Sequence, residues 1–329
     1  MNRVTLGDVC KKASSNIAQK DLNGNEGEYP IYGASGYIKT VDFYHQEEPY
    51  IAIVKDGAGI GRTMLLPAKS SVIGTMQYIL LKEDKSVDLD YLYYAIVHMN
   101  LGKYFSGATI PHIYFKDYQK EPLNLPDMHE QQQIASIFKK IDALISGRKE
   151  QIEQLDEIIK SRFIELFGDP ILNDKLFPTL SGENLFKLSN GKAVPDEKRL
   201  EAGVPAYGGN GISWYTDEFL MAEDTIVVGR VGFQSGNVHY AVGPLWITDN
   251  AMYISRYEKD KLNLIFLCEL MQHVNFSRYQ DAGDLKKITQ KPFMSFKYIL
   301  PSMKLQQQFV DFKNEVDKSK HFSELEVAA

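Results

Sequence analysis

The stretch that first suggests chemistry is Gly57-Ala-Gly-Ile-Gly61, whose glycine spacing resembles a loop that wraps a phosphate. Such a loop must lead into a helix whose N-terminus faces the anion. No suitable helical pattern follows it, and its counterpart later in the chain, Gly232-Phe-Gln-Ser-Gly236, lacks the spacing, so the sequence excludes nucleotide binding there. An Asn/Asp-Pro-Pro-Tyr/Phe motif to hold a flipped adenine, a Gly-x-x-x-x-Gly-Lys-Ser/Thr loop and a carboxylate–lysine nuclease cluster are all missing. No His/Cys spacing suits a metal, and Cys10 and Cys268 are read as ordinary buried thiols. The chain therefore reads as non-catalytic, with no cofactor and no metal of its own.

The elements around these residues are duplicated. Tyr29-Pro-Ile-Tyr-Gly-Ala-Ser-Gly36 matches Val204-Pro-Ala-Tyr-Gly-Gly-Asn-Gly211, and Ile51–Gly61 matches Ile226–Gly236. His98 falls on His273, Leu125-Pro126 on Leu300-Pro301, and Gln131–Gln133 on Gln306–Gln308, all at an offset of 175 residues. That period is too long for a solenoid repeat and indicates a duplicated domain with its connector. Each unit runs from short apolar strands (Ile51–Val54, Gln77–Leu81; Ile226–Val228, Met252–Ser255) to a helix (Leu89–Met99, Leu264–Val274). A glycine-containing loop, Phe105–His112 or Gln280–Lys287, leads on to Leu-Pro and a long helix.

The first long helix opens with Asp127 and Glu130 in capping-box spacing after Pro126 and stops at Gly168-Asp-Pro170. Ile134, Ile141 and Leu155 form one seam; Phe138, Ile145, Ile152, Ile159 and Leu166 form the other, in a 4-3 rhythm that predicts a coiled coil about 60 Å long. Arg148 and Arg162 interrupt the first seam. The second long helix starts at Ser302, with Phe309, Phe312 and Val316 on its apolar face, and is short relative to its repeat. Antiparallel pairing of the two is the preferred arrangement; packing on its own domain or on another copy is the alternative. The boundaries read 1–126, 127–168, 169–301 and 302–329.

Strand-rich domains each followed by a Leu-Pro-x-x-x-x-x-Gln-Gln-x-Ile/Phe helix, repeated once, resemble the specificity subunits of type I restriction–modification systems. The residues that carry the resemblance are Leu125–Ile134, Ile152–Gly168 with its Phe-Gly-Asp-Pro end, Tyr207–Gly211 and Val228–Gly232. The resemblance implies an α+β fold of two target recognition domains, each reading one half of a split double-stranded DNA site. It implies spacer helices that set the unread gap and dock two methyltransferase subunits, with motor-nuclease restriction subunits joining them. S-adenosylmethionine and ATP would belong to those partners.

A net charge of −6 is awkward for a DNA-binding chain, because phosphate contacts need cations; local basic patches or the partner subunits must supply them. The absence of a long apolar run or an N-terminal signal core leads to the expectation of a cytoplasmic protein with no membrane association. Base reading needs side chains with defined donor and acceptor edges. The candidates are Tyr32, Lys39, Lys55, Arg62, His112 and Lys116 in the first domain, and Asn210, Trp214, Arg230, Gln234, Lys286 and Lys287 in the second. For Arg230 the competing role is a structural contact, and for Lys286-Lys287 plain solvation. Tyr32 and Tyr207 read more readily as core-edge aromatics, His98 and His273 as packing residues, and the glycines at 33, 36, 208 and 211 as turn formers. Gln131–Gln133 reads equally well as subunit-docking groups or as a polar helix start. A duplicated protein-binding adaptor without DNA recognition is the alternative function.

Overall fold

A computed structural model describes residues 2–83, 86–107, 111–281, 283 and 286–328. Of the two glycine-containing loops, Phe105–His112 and Gln280–Lys287, residues Ala108–Ile110, Ala282, Asp284 and Leu285 lie outside the described residues. The chain divides into two compact units, 1–146 and 147–329.

The first unit comprises β1 (Asn2–Thr5), α1 (Leu6–Val9), β2 (Cys10–Ser14), β3 (Tyr29–Gly33), β4 (Gly36–Val41), β5 (Tyr50–Val54), β6 (Thr63–Leu66), β7 (Ser71–Val72), β8 (Met76–Leu81), α2 (Leu89–His98), α3 (Phe115–Tyr118) and β9 (Pro122–Leu125). The long helix α4 (Met128–Phe167) follows and carries the division between units within its length. Its start is capped by Asp127, whose carboxylate accepts from the Glu130 amide at 2.9 Å, as the spacing predicts. The second unit continues with β10 (Thr179–Ser181), β11 (Phe186–Asn190), β12 (Val204–Gly208), β13 (Gly211–Thr216), β14 (Thr225–Gly229), β15 (Val238–Ala241), β16 (Trp246–Ile247), β17 (Ala251–Tyr257), α5 (Leu264–Val274), α6 (Lys291–Ser295), β18 (Lys297–Ile299) and α7 (Met303–Ala328).

The two units share one topology. Sheet β2-β8-β5-β6 has its equivalent in β11-β17-β14-β15, β4-β3-β7 in β13-β12-β16, and β1-β9 in β10-β18. In both three-stranded sheets the last pairing is parallel, β3 with β7 and β12 with β16. Strands β5 and β14 are buried along their whole length, so they read as unbroken apolar runs rather than as alternating ones. The fold is thus a mixed helix and strand architecture built twice.

Gln131 and Gln306 explain how each long helix is joined to its unit. Gln131 is buried; its side-chain amide donates to the carbonyls of Ser86 (3.2 Å) and Pro126 (2.9 Å) and accepts from the Asp88 amide (2.9 Å). Gln306 repeats the pattern with the carbonyls of Lys261 and Pro301 (both 2.9 Å) and the Asn263 amide (2.8 Å). Each glutamine pins the first turn of a long helix to the N-cap of α2 or α5. The first glutamine of each run is therefore a buried brace, satisfying backbone groups that helix starts leave open.

The long-helix seam differs from a heptad in one respect. Ile134, Ile145, Ile152 and Leu155 are half-buried, Phe138 and Ile141 are exposed, and the buried positions at the end of α4 are Ile159, Phe163 and Phe167. These step by four, because this end lies on a globular core with the 3.6-residue period of a straight helix. Within the second unit, Phe163 meets Phe309 (ring centroids 5.4 Å), the Arg162 guanidinium lies over the Phe312 ring (5.7 Å), and Lys320 bonds Asp156 (2.6 Å). As the α7 numbers rise the α4 numbers fall, so the contacts run antiparallel. Val316 packs partly buried on the same core.

Candidate nucleic-acid interface

In each unit most of the polar candidates gather around the turn that follows the buried central strand; Tyr32 and Lys39 do not. This turn must approach the backbone just beyond the helix closely. A Cβ on Gly61 would lie 2.4 Å from the Gly102 nitrogen, and one on Gly236 would lie 2.6 Å from the Ser277 nitrogen; both residues also hold positive φ. Only glycine fits there, which seats both turns against the segment after α2 or α5.

In the first unit the structure brings Lys55, His112 and Lys116 together around Asp56 and Tyr114. Lys55 Nζ lies 3.1 Å from the Asp56 carboxylate, and His112 Nδ1 bonds the other oxygen of that carboxylate. The His112 ring lies 4.1 Å from that of Tyr114, over which the Lys116 ammonium sits at 5.2 Å. Arg62 donates to the Ala34 carbonyl at 2.7 Å, tying the glycine turn to the β3–β4 turn. Tyr32 is half-buried on the core with its ring edge-on to Tyr37; burial, and then Tyr37, hold its hydroxyl above the usual tyrosine range. Lys39 donates to the Leu22 carbonyl at 3.3 Å, a contact within the fold.

In the second unit Asn210, Trp214 and Gln234 line one cavity of about 410 Å³, together with Ser213, Thr248 and Asn250. The Trp214 ring carries the Arg199 guanidinium at 5.1 Å. The Gln234 carboxamide accepts from Asn237. Thr248 Oγ1 is buried at the cavity without a hydrogen-bond partner among the described residues. Arg230 and Lys287 line a second cavity of about 310 Å³ with Asn190, Asp281 and Gln290. Arg230 does not simply project: its Nε and one terminal nitrogen grip the Asp249 carbonyl at 3.1 and 2.8 Å. Lys286 is half-buried, and its carbonyl accepts from Gly232 at 2.8 Å. Tyr207, like Tyr32, is half-buried, with its hydroxyl held high first by burial and then by Tyr215.

Three contributors escape the sequence reading. Asp56 organises the first cluster, Thr248 backs the cavity, and Phe233 stands 87% exposed on the glycine turn. Phe233 was visible only as the residue between Gly232 and Gln234; nothing in the sequence places it at a surface.

The two frames match while their side chains do not. At equivalent positions Lys55 stands for Arg230, Asp56 for Val231, Ala58 for Phe233, Gly59 for Gln234, Lys39 for Trp214 and His112 for Lys287. The backbone bridge Asp56–His112 in one unit is Val231–Lys287 in the other, so the same scaffold presents a carboxylate–imidazole pair once and an apolar–cation pair once.

Burial pushes the thiols of Cys10 and Cys268 up to about 12, which keeps them protonated and unreactive. Among the described residues no group of three His, Cys, Asp or Glu could hold a metal ion, and no helix is long and apolar enough to cross a membrane.

The family model of the type I restriction modification DNA specificity domain matches the chain twice, over 1–154 and 181–326. The specificity subunit of the type I restriction enzyme MjaVIII of Methanocaldococcus jannaschii is 29% identical over 272 residues, 73% of this chain and 63% of that one. The Escherichia coli EcoprrI specificity subunit is 24% identical over 149 residues, 44% of this chain and 37% of that one. The chain thus spans less than two thirds of the length of these relatives. The crystal structure of a type I restriction–modification S subunit from M. genitalium superposes with a TM-score of 0.67 at 18% identity, covering 99% of this chain and 92% of that one, a likeness of fold.

Proposed function

Because the chain belongs to the type I restriction–modification specificity family, we propose that each of its units reads one half of a bipartite double-stranded DNA target and that the chain carries no catalytic site. The observation that supports this most is the pair of matching frames with unlike polar groups. A protein that must recognise two different short sequences needs one docking geometry and two sets of base-edge contacts. Lys55, Arg62, His112 and Lys116 form the first set. Asn210, Trp214, Gln234, Arg230 and Lys287 form the second, with Asn210 and Gln234 suited to adenine and the cations to guanine or phosphate. Lys39 and Lys286 act as phosphate contacts at the edges, and Tyr32 supports its hairpin from the core.

The long helices set the spacing of the half-sites and carry the methyltransferase subunits, to which motor-nuclease subunits are added for cleavage. S-adenosylmethionine and ATP act in those partners. Such a chain binds DNA with partner help, in keeping with its charge of −6.

Methylation mapping of genomic DNA from cells with and without this chain, with the methyltransferase subunit expressed, tests the proposal. A split motif disappears when the chain is absent. If no split motif changes, the reading fails, and the protein-binding adaptor takes its place.

A further inference from the structure

The cavity that Asn210, Trp214 and Gln234 line has a floor that the repeat makes unusual. Where the first unit has Ile38 and Ile73, the second has Ser213 and Thr248. Ile73 is buried, and Ile38 packs against it in an apolar cluster with Leu22, Ile31 and Val41. In the second unit two shorter hydroxyl side chains line the cavity instead. Thr248 is 7% exposed, and its Oγ1 has no hydrogen-bond partner among the described residues. A buried hydroxyl without a partner is costly, and it marks a place for a polar group from outside the fold.

The rim is built from two turns that glycines bring together. Gly209 and Gly229 stand where the first unit has Ala34 and Val54. A Cβ on Gly229 would lie 2.4 Å from the Gln234 carbonyl oxygen and 2.9 Å from that of Gly209. The β12–β13 turn with Asn210 therefore closes on the turn with Phe233 and Gln234, an approach that a valine in place of Gly229 would prevent. The Gln280 side chain donates to the carbonyls of Phe233 (3.3 Å) and Ser235, so the backbone of the second turn is held. Its Phe233 ring is nonetheless 87% exposed at the cavity. A turn braced in its backbone and bare in its one large apolar ring presents that ring to something outside the fold.

We propose that Phe233 contacts the C5-methyl group of a thymine, and that the half-site of the second unit holds an A·T pair at this position. The inference rests on the reading that the units bind DNA. In the major groove an A·T pair shows the N7 acceptor and N6 donor of adenine beside the O4 and methyl group of thymine. The exposed Asn210 carboxamide matches the adenine edge, the exposed Ser213 hydroxyl can donate to O4, and the Phe233 ring matches the methyl group. Guanine is read chiefly by arginine or lysine, and neither lines this cavity among the described residues. In the first unit Ser35 and Ala58 stand for Asn210 and Phe233, too short for the same contacts. Dependence on a thymine methyl group thus belongs to one half-site.

Methylation mapping supplies the motif, and the half-site that Asn210→Ala relaxes is the one read by the second unit. A fluorescein-labelled duplex with that motif is titrated with the complex of the chain and its methyltransferase subunit, each thymine being replaced in turn by deoxyuridine, which lacks the methyl group. One replacement in that half-site should weaken binding about fourfold, the equivalent of ~0.8 kcal/mol. Phe233→Ala should weaken binding of the thymine duplex by a similar factor and become blind to that replacement, while Phe233→Leu keeps the sensitivity. Phe233 is exposed, so both variants should fold, which circular dichroism checks. The proposal is overturned by a relaxed half-site with no A·T pair, by an Asn210→Ala variant that relaxes neither half-site, by equal binding of every deoxyuridine duplex, or by a Phe233→Ala complex that still senses the methyl group. Loss of the methyltransferase subunit from Phe233→Ala also overturns it and makes the ring a protein contact. With a split motif present, these results refute the methyl contact alone; absence of any split motif refutes the DNA reading beneath it.

Discussion

Replacing Gln131 with leucine keeps the side-chain volume and removes three hydrogen bonds at once. The Asp88 amide and the carbonyls of Ser86 and Pro126 then lose their partner at a site where Gln131 is 1% exposed. A net hydrogen bond contributes ~0.5–1.5 kcal/mol, and a buried group left unpaired costs ~1–3 kcal/mol. Ser86 is exposed and its carbonyl can turn to water, so the sum falls near 2–3 kcal/mol rather than at the upper limit. Urea denaturation measures the global cost, and hydrogen exchange at the Asp88 amide measures it locally, with a rate increase of about thirtyfold for ~2 kcal/mol. Gln306→Leu should show the same effect at Asn263, and the two changes should add, because each acts inside its own compact unit. A loss under ~0.5 kcal/mol with unchanged Asp88 exchange refutes the brace. If such a stable variant also failed to retain a methyltransferase subunit, the run would be a docking surface instead.

Phe163→Ala, which removes a fully buried ring, should cost ~3–5 kcal/mol and lower Tm by several degrees in calorimetry. Asn210→Ala with Gln234→Ala should relax the base preference of one half-site only, by ~1–3 kcal/mol per lost bidentate contact, in methylation mapping of the variant. The Glu121 carboxyl is held below the usual carboxylate range, first by its bond to Lys103 and then by that from Tyr104. A lowered folded-state value contributes stability that is complete above the unfolded carboxyl value of ~4.3 and is lost as pH falls through the folded one. Glu121→Gln should therefore destabilise at pH 7, with the gap to the parent closing as denaturation is repeated towards pH 3.

Much of the architecture was legible because it is repeated. Strand cores such as Ile51–Val54 and Ile226–Val228 recur in register, and a duplicated pattern separates signal from chance in a way that a single short apolar run cannot. The α4 boundaries were readable from Asp127, Glu130 and Gly168, since caps and stops act through neighbours a few residues away. The site was only partly legible. The sequence showed which residues carry donors and cations, but Asp56 looked like an ordinary turn residue until His112, far along the chain, came to lie against it.

The sequence by itself determined that this chain is a duplicated protein of mixed helix and strand with two unlike sets of polar side chains on one repeated frame, since periodicity, caps and residue identity are local properties. Tertiary structure decided which of those side chains spend part of their donor capacity inside the fold. Arg230 has turned back on Asp249 and Lys39 on Leu22, while Asn210 and Gln234 share a cavity. It also decided that Gln131 and Gln306 are buried braces. Hydrogen-bond partners and burial depend on segments distant in the chain, and only the packed molecule brings those segments together.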